Sequence, residues 1–486
     1  MTPGLLDDKG ALMMAKNLTT RPPSWQPRLE RVFVSRGATV LVAVLALIGP
    51  MFRSSTARAD DPVKPWVEAQ LPRLLSFYQE LHQTPELSLQ EQQTARRLAA
   101  KWREAGFEVT EGVGGHGIVG LLKNGEGKTL MLRCDLDGLP VTEQTGLKYA
   151  STATAAGEDG AATGVMHACG HDIHMTCSAG VAAFLSAHKD LWHGTVMLIG
   201  QPAEERGMGA RAMLTAGLFD RFPKPDYAVA LHCDSTIPTG RIGYRPGYAL
   251  ANVDSVDITV KGRGGHGAYP HTTIDPVVQA AHLILDLQTI VSREVKPTEP
   301  SVITVGSIHA GTKHNVIADQ CKLQLTVRSY SDDVRAQLKA AIVRKAKAAA
   351  AAFGAPEPTI EFTEGTPAMF NDRELAERVA EVFCKRFGHE QIVSTDPSMG
   401  GEDFSEYGRR GVSSFMFWLG TIDAHRLAGY TRVGQAPPSL HSPLFYPDAE
   451  PTLRTGVQAL AATALELLGT DKSEKGDKPE KRKAAP

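Results

Sequence analysis

Apolar positions recur at helical spacing through residues 63–107, first in "VEAQLPRLLSFYQELHQ" and then in "LQEQQTARRLAAKWREAG", where Gly106 is placed to end the second helix. Short apolar runs of β type then alternate with helical stretches. "GIVGLL", "TLMLRCDL", "GTVMLIGQ" and "YAVALHCD" read as strands, and "CSAGVAAFLSAHKDL" and "GARAMLTAGLF" as helices. Strands alternating with helices predict an α/β sheet. From about Asn252 the pattern changes. "VDSVDITVKG", "SVITVGSIHAG", "CKLQLTVRSY" and "PTIEFTE" alternate as strands. Between them run two helices, "DPVVQAAHLILDLQTIVSR", with Asp275 at its N-cap and Pro276 at its first position, and "DDVRAQLKAAIVRKAKAAAAAFG". This β-α-β-β-α-β order is that of a ferredoxin-like sandwich. The expected organisation is an α/β catalytic domain in two parts, 60–249 and 364–468, with the second domain inserted at 250–363.

The two ends lie outside that pattern. Residues 38–52, "ATVLVAVLALIGPMF", follow Arg28, Arg31 and Arg36 and precede Ala57-Arg58-Ala59, a small-x-small cleavage site. A basic flank, a short apolar core and such a site predict a signal peptide over 1–59 and an exported, periplasmic protein with no membrane anchor after cleavage. Residues 469–486 carry no apolar side chain able to dock and read as a disordered tail. Removing residues 1–59 takes 8 of the 52 Lys and Arg and 3 of the 54 Asp and Glu, leaving 44 against 51, a net charge of −7. An acidic mature chain is a poor fit to nucleic acid. Six scattered cysteines are too few for a disulfide framework in a domain this size.

Two phosphate-loop patterns mislead. "NGEGKT" has Leu122 where a Walker A loop needs its first glycine. "GRGGHG" (262–267) follows a strand but opens no helix on which a phosphate could sit. The informative residues are spread more widely. Asp135 and Asp137 end one strand, Glu204 and Glu205 follow another, and "ALHCD" ends a third with His232. "MHACGHDIHM" (166–175) opens a helix with Cys169 and His171, and His441 stands in "LHSPLF". Each alone is as well explained by a helix cap or a solvated loop. Together they bring His, Cys, Asp and Glu to one end of a parallel sheet, where such sheets bind ligands. Thiolate, imidazole and carboxylate suit zinc or manganese, and five or six such donors exceed one structural zinc and fit two metals. Of two adjacent glutamates in extended chain, one can bind metal while the other faces a water as proton shuttle. A thiol hydrolase with Cys169 as nucleophile and His171 as base would leave Glu204, Glu205, His232 and His441 without a role.

The ordered motifs "HACGHD", "QPAEE", "GRGGHGAYPH", "KHNVIAD", "GGEDF" and "LHSPLF" resemble the amidohydrolase branch of the aminoacylase/carboxypeptidase G metallopeptidase family, the branch of hippurate and auxin-conjugate hydrolases. The resemblance spans about residues 65–468. It implies that Cys169, His171, Glu205, His232 and His441 hold two divalent metals, with Cys169 bridging, and that Glu204 is the general acid/base. It further implies that Asp137 orients a ligand histidine, while His167 and His174 support the loop. The inserted domain would be a lid and the site of homodimerisation, and His266, Asn315 and Arg328 would meet the substrate's carbonyl oxygen and free carboxylate. Cys134, Leu136 and Gly138 depart from the branch's usual Arg-Ala-Asp-Met-Asp-Ala-Leu-Pro but spare its acidic residues. The expected activity is hydrolysis of N-acyl amino acids or related amides. The alternatives are a dipeptidase or aminoacylase of the same family, and a non-catalytic periplasmic binding homologue.

Overall fold

The computed structural model describes residues 61–157 and 160–469. The expected signal peptide at 1–59 and the tail from residue 470 onward lie outside the described residues. Gly469, assigned to the tail, instead pairs with Trp192.

An eight-stranded sheet draws its strands from residues 108–244 and 392–422, on either side of the second sheet in the sequence. Its four central strands, Gly194–Gln201, Thr129–Asp135, Tyr227–Pro238 and Ser413–Ile422, lie side by side and run parallel. Every residue of Thr129–Asp135 is buried, as a parallel strand covered by helices on both faces must be. The helices Val63–Gln83, His171–Ala187, Arg373–Phe387 and Ala449–Leu468 share one apolar core against the sheet. The other face is covered by Gly209–Thr215, Leu218–Arg221 and Ser405–Arg409 around Met197, Met213, Phe404 and Tyr407. The second predicted helix begins at Gln92, three residues later than its apolar pattern, and Gly106 follows it with φ +80°.

Residues 252–364 build a separate four-stranded antiparallel sheet in the order Ser301–Ala310, Gln320–Ser329, Asn252–Lys261, Thr359–Glu364. Strict alternation along Gln320–Ser329 buries one face, on which Pro276–Thr289 and Asp332–Ala352 pack in a core of their own. The N-cap expected at Asp275 is present, its carboxylate accepting from the N–H groups of Val277 and Val278. The described residues belong to one compact unit, within which the ribbon of Gly247–Leu250 and Met369–Asn371 lies at the passage between the two sheets. No helix among the described residues is long and apolar enough to cross a membrane.

Candidate active site

Four parallel strands bring their C-terminal ends together, and the site is built there. Asp135 closes its strand opposite Gln201, the last residue of the neighbouring one. Cys169-Gly170-His171 enters the helix His171–Ala187 through Gly170 at φ +81°, where an added Cβ would stand 2.7 Å from Cys233 Sγ. Glycine is required there on both counts. His232 lies within its strand, which continues to Pro238, so it does not end the strand as the sequence suggested. His441 adopts φ +68°, and its N–H is held by Ala168 O at 2.9 Å.

These residues converge. Donor atoms of Cys169, His171 and His232 lie within 4.8 Å of one another, as do those of Cys169, Glu205 and His441, so Cys169 belongs to both sets. Cys169 Sγ is 3.6 Å from His232 Nε2, and His441 Nε2 is 3.4 Å from Glu205. His171 Nε2 stands 3.8 Å from both Glu204 and Glu205. Backbone carbonyls orient two of the imidazoles: Nδ1 of His171 donates to Asp137 O and Nδ1 of His232 to Cys233 O, each at 2.8 Å. A carbonyl only accepts, so each Nε2 presents its lone pair to the cluster. Buried His171 Nε2 and Glu205 Oε1 meet no hydrogen-bond partner. Unmet lone pairs on a thiol, imidazoles and carboxylates are the donor set of a borderline-soft divalent metal, and the residues fit one.

The charge balance agrees. Burial opposes charge on His171, yet Asp135, Asp137 and Glu205 raise its pKa to about 10, so these carboxylates draw positive charge to Nε2, a place that a proton or a metal ion would fill. Burial, followed by the carboxylates of Glu402 and Glu205, pushes Glu204 well above the usual carboxylate range. So much acid in one buried place calls for a cation. Glu204 and Glu205 both reach His171 because they sit in a turn after Ala203 (φ +48°), not in the extended chain that the sequence suggested, which would send them to opposite sides. His174 is fully engaged, its Nδ1 2.6 Å from Asp135 and its Nε2 accepting from Cys233 N at 2.9 Å. His167 is buried with neither ring nitrogen partnered, and burial lowers its pKa to about 4.

The cluster opens on a cleft of about 570 Å³, whose walls include Glu204, His232, Trp418, Arg328 and the glycines at 400 and 401. Arg328 therefore reaches the same cleft from the second sheet. Its Nε donates to Thr326 Oγ1 at 2.9 Å and its Nη1 to Met399 O at 3.2 Å, which fixes the plane of the guanidinium. His266 and Asn315 do not line the cleft. Both are exposed on the ribbon Gly265–His266/Val316–Ile317, with His266 Nδ1 accepting from Ala268 N. Sequence reasoning assigned nothing to Arg133, Gln201, Glu402 or Asp403, which form a buried network behind Glu204. An arginine inside an otherwise apolar central strand was the available signal.

A hydrolase-like sheet carrying a metal-binding cluster is the class that fold and site define. The profile of peptidase family M20/M25/M40 matches residues 131–441, and the chain belongs to that family. It is 34% identical to thermostable carboxypeptidase 1 of Saccharolobus solfataricus over 81% of this chain and 95% of that one. It is also 34% identical to the N-acetyl-L-cysteine deacetylase of Bacillus subtilis, over 73% and 81%. Among solved structures, the Bacillus subtilis YXEP protein, described as a dinuclear metal binding peptidase, aligns with a TM-score of 0.68 at 30% identity, over 82% of this chain and 99% of that chain.

Proposed function

We propose that the protein is a metal-dependent amidohydrolase that cleaves the amide bond of N-acyl amino acids, in the manner of hippurate hydrolases. The observation that carries this reading is one cleft holding the Cys–His–Glu donor set, a buried glutamate beside it and a cleft-facing arginine. Cys169, His171, Glu205, His232 and His441 would hold two divalent ions, zinc or manganese, with Cys169 shared between the two sets. When bound, the ions polarise the scissile carbonyl and acidify a water. Glu204 takes the proton of the attacking water and returns it to the leaving nitrogen. Arg328 takes the free carboxylate of the amino acid, which sets the amide at the cluster. Asp137 keeps His171 in place through its carbonyl and carboxylate. A non-catalytic binding protein would have no use for Glu204 as a proton shuttle.

His266 and Asn315 sit away from the cleft of their own chain, so their part in binding the carbonyl oxygen depends on a second copy. Homodimerisation through the second sheet supplies one.

The test separates shuttle from ligand. Glu204→Gln should keep metal and fold and lose turnover by at least about 100-fold. Cys169→Ala should lower metal content measured by elemental analysis. Full metal in Cys169→Ala together with an active Glu204→Gln would refute the mechanism. A parallel screen of N-acyl amino acids against dipeptides distinguishes amidohydrolase from carboxypeptidase.

A further inference from the structure

None of the motifs above takes in "PELSLQE", residues 85–91, yet this segment touches the site at three points. Gly138 N donates to Glu86 O at 2.7 Å, Ser88 Oγ donates to Asp137 Oδ2 at 2.6 Å, and Ala203 N donates to Glu91 Oε1 at 2.8 Å. The same Glu91 oxygen accepts from Leu89 N at 2.8 Å. Leu89 (φ +69°) and Ala203 (φ +48°) are two of the three non-glycine residues with positive φ among the described residues, and the third is His441. One carboxylate oxygen thus holds two backbone segments in the left-handed region that L side chains avoid.

Glu91 does this against its local interest. It stands at the N-cap of the helix Gln92–Glu104, but its side chain makes no capping bond there. The N–H of Thr94 is met instead by Glu86 Oε2 at 2.7 Å. Glu91 is 0% exposed, and its second oxygen has no partner. Burial, with the Asp137 carboxylate nearby, raises its pKa to about 7. A buried carboxylate with one oxygen unmet costs stability, and its own helix gains nothing from it. What it secures is the backbone immediately before Glu204.

We infer that Glu91 is a positioning residue for the active-site turn: its carboxylate locks Ala203 in the left-handed conformation that brings Glu204 and Glu205 together at the cluster. Ser88 does the corresponding work for Asp137, whose Oδ2 also receives the N–H of Glu205 at 3.1 Å. Ala203 is fully buried, so without Glu91 no solvent would take over its N–H, and the residue would relax towards negative φ. That rotation carries the following peptide, and the two glutamates, out of register with the cluster. Its catalytic consequence rests on the reading of Glu204 as proton shuttle.

The test uses four variants of the metal-loaded enzyme: Glu91→Gln, Glu91→Ala, Ala203→Gly and the double variant Glu91→Ala/Ala203→Gly. Glu91→Gln keeps a carbonyl acceptor for both N–H groups and should hold kcat within about threefold. Glu91→Ala should lower kcat about 100-fold with KM nearly unchanged, the scale of a misplacement of about 1 Å at reacting groups. Glycine tolerates φ +48° freely, so the double variant should regain Tm without regaining kcat, and Ala203→Gly alone should keep both Tm and the turn. Recovery of kcat together with Tm in the double variant would mean that Glu91 only relieves strain, and would overturn the inference. A crystal structure of Glu91→Ala decides the point independently of activity. An unmoved 203–205 turn sinks the positioning role, whereas a displaced turn alongside an active Glu204→Gln leaves positioning intact and sinks the shuttle.

Discussion

Arg133 shows at the scale of one residue how the site is paid for. Its guanidinium is fully buried and bonds Asp135 at 2.6 Å, Glu402 at 2.8 Å and Asp403 at 3.2 Å, and its Nε meets Gln201 at 3.1 Å. These bonds offset the cost of burying so many charges and keep the carboxylates behind Glu204 in fixed places, although Glu402 Oε2 meets no partner. Arg328 is the opposite case, an arginine whose Nη2 meets no protein acceptor among the described residues. A guanidinium fork grips a carboxylate in a way that an ammonium cannot. Arg328→Lys should therefore lower kcat/KM for N-acyl amino acids by about tenfold or more, since a charged hydrogen bond contributes roughly 1.5–3 kcal/mol. The matching amides that lack the carboxylate should be barely affected. Equal losses on both substrates would assign Arg328 to folding.

At the scale of elements, the ligand-bearing helix His171–Ala187 is tied to its neighbours by a buried imidazole. His82, on Val63–Gln83, meets Asp172 at 2.7 Å and Glu143 at 3.2 Å, and Glu143 in turn accepts from Ser151 N at 2.6 Å. Burial disfavours the charged ring, but the two carboxylates raise its pKa from 6.5 to about 9, and both are themselves lowered by His82. A raised histidine contributes its stability in full below the unfolded value of 6.5 and loses it as pH rises through about 9. The lowered carboxylates contribute above their unfolded values and lose it as pH falls through the depressed ones. Unfolding free energy should therefore decline between about pH 6.5 and pH 9.5 by up to about 3 kcal/mol, at about 1.4 kcal/mol per pKa unit. His82→Gln should flatten that slope. Denaturant titrations of both proteins across the range measure it, and parallel slopes would dismiss the tie.

For the whole molecule, the second sheet and its helices leave apolar side chains uncovered, among them Leu285 at 70%, Ile308 at 50% and Val316 at 50% exposure. Ile308 lies on the edge strand Ser301–Ala310, and Val316 pairs with His266 on the exposed ribbon. An open edge flanked by apolar residues is the kind of surface that the proposed homodimer would cover. Sedimentation should give twice the chain mass, and Ile308→Arg with Leu285→Arg should halve it. The same change should reduce kcat/KM at least about tenfold if the ribbon serves another copy's cleft. A fully active monomer would rule that out.

Much of this fold was legible because its signals are local. Apolar periodicity marked the central strands and the β-α-β-β-α-β order, and Asp275-Pro276 marked a helix start. The residue types of the cluster were legible, but their placement was not: His232 lies inside its strand, Cys169 and His171 lead into a helix, and Glu204 and Glu205 sit in a turn. Other features depended on contacts between segments far apart in the chain. The meeting of Glu204 and Glu205 at one cluster follows from a left-handed Ala203 that Glu91 holds from 112 residues away, and no pattern around position 203 announces it. Arg133 reads as an odd charge in a strand until Glu402 and Asp403 are folded against it. His266 and Asn315 stand in matching motifs, yet the tertiary structure leaves them on an exposed ribbon away from their own cleft. Chain pattern determined which elements form and which chemistry they carry, because both depend on neighbours within a few residues. The three-dimensional packing alone decided which side chains meet and at what distance, because those contacts join segments that the sequence keeps apart.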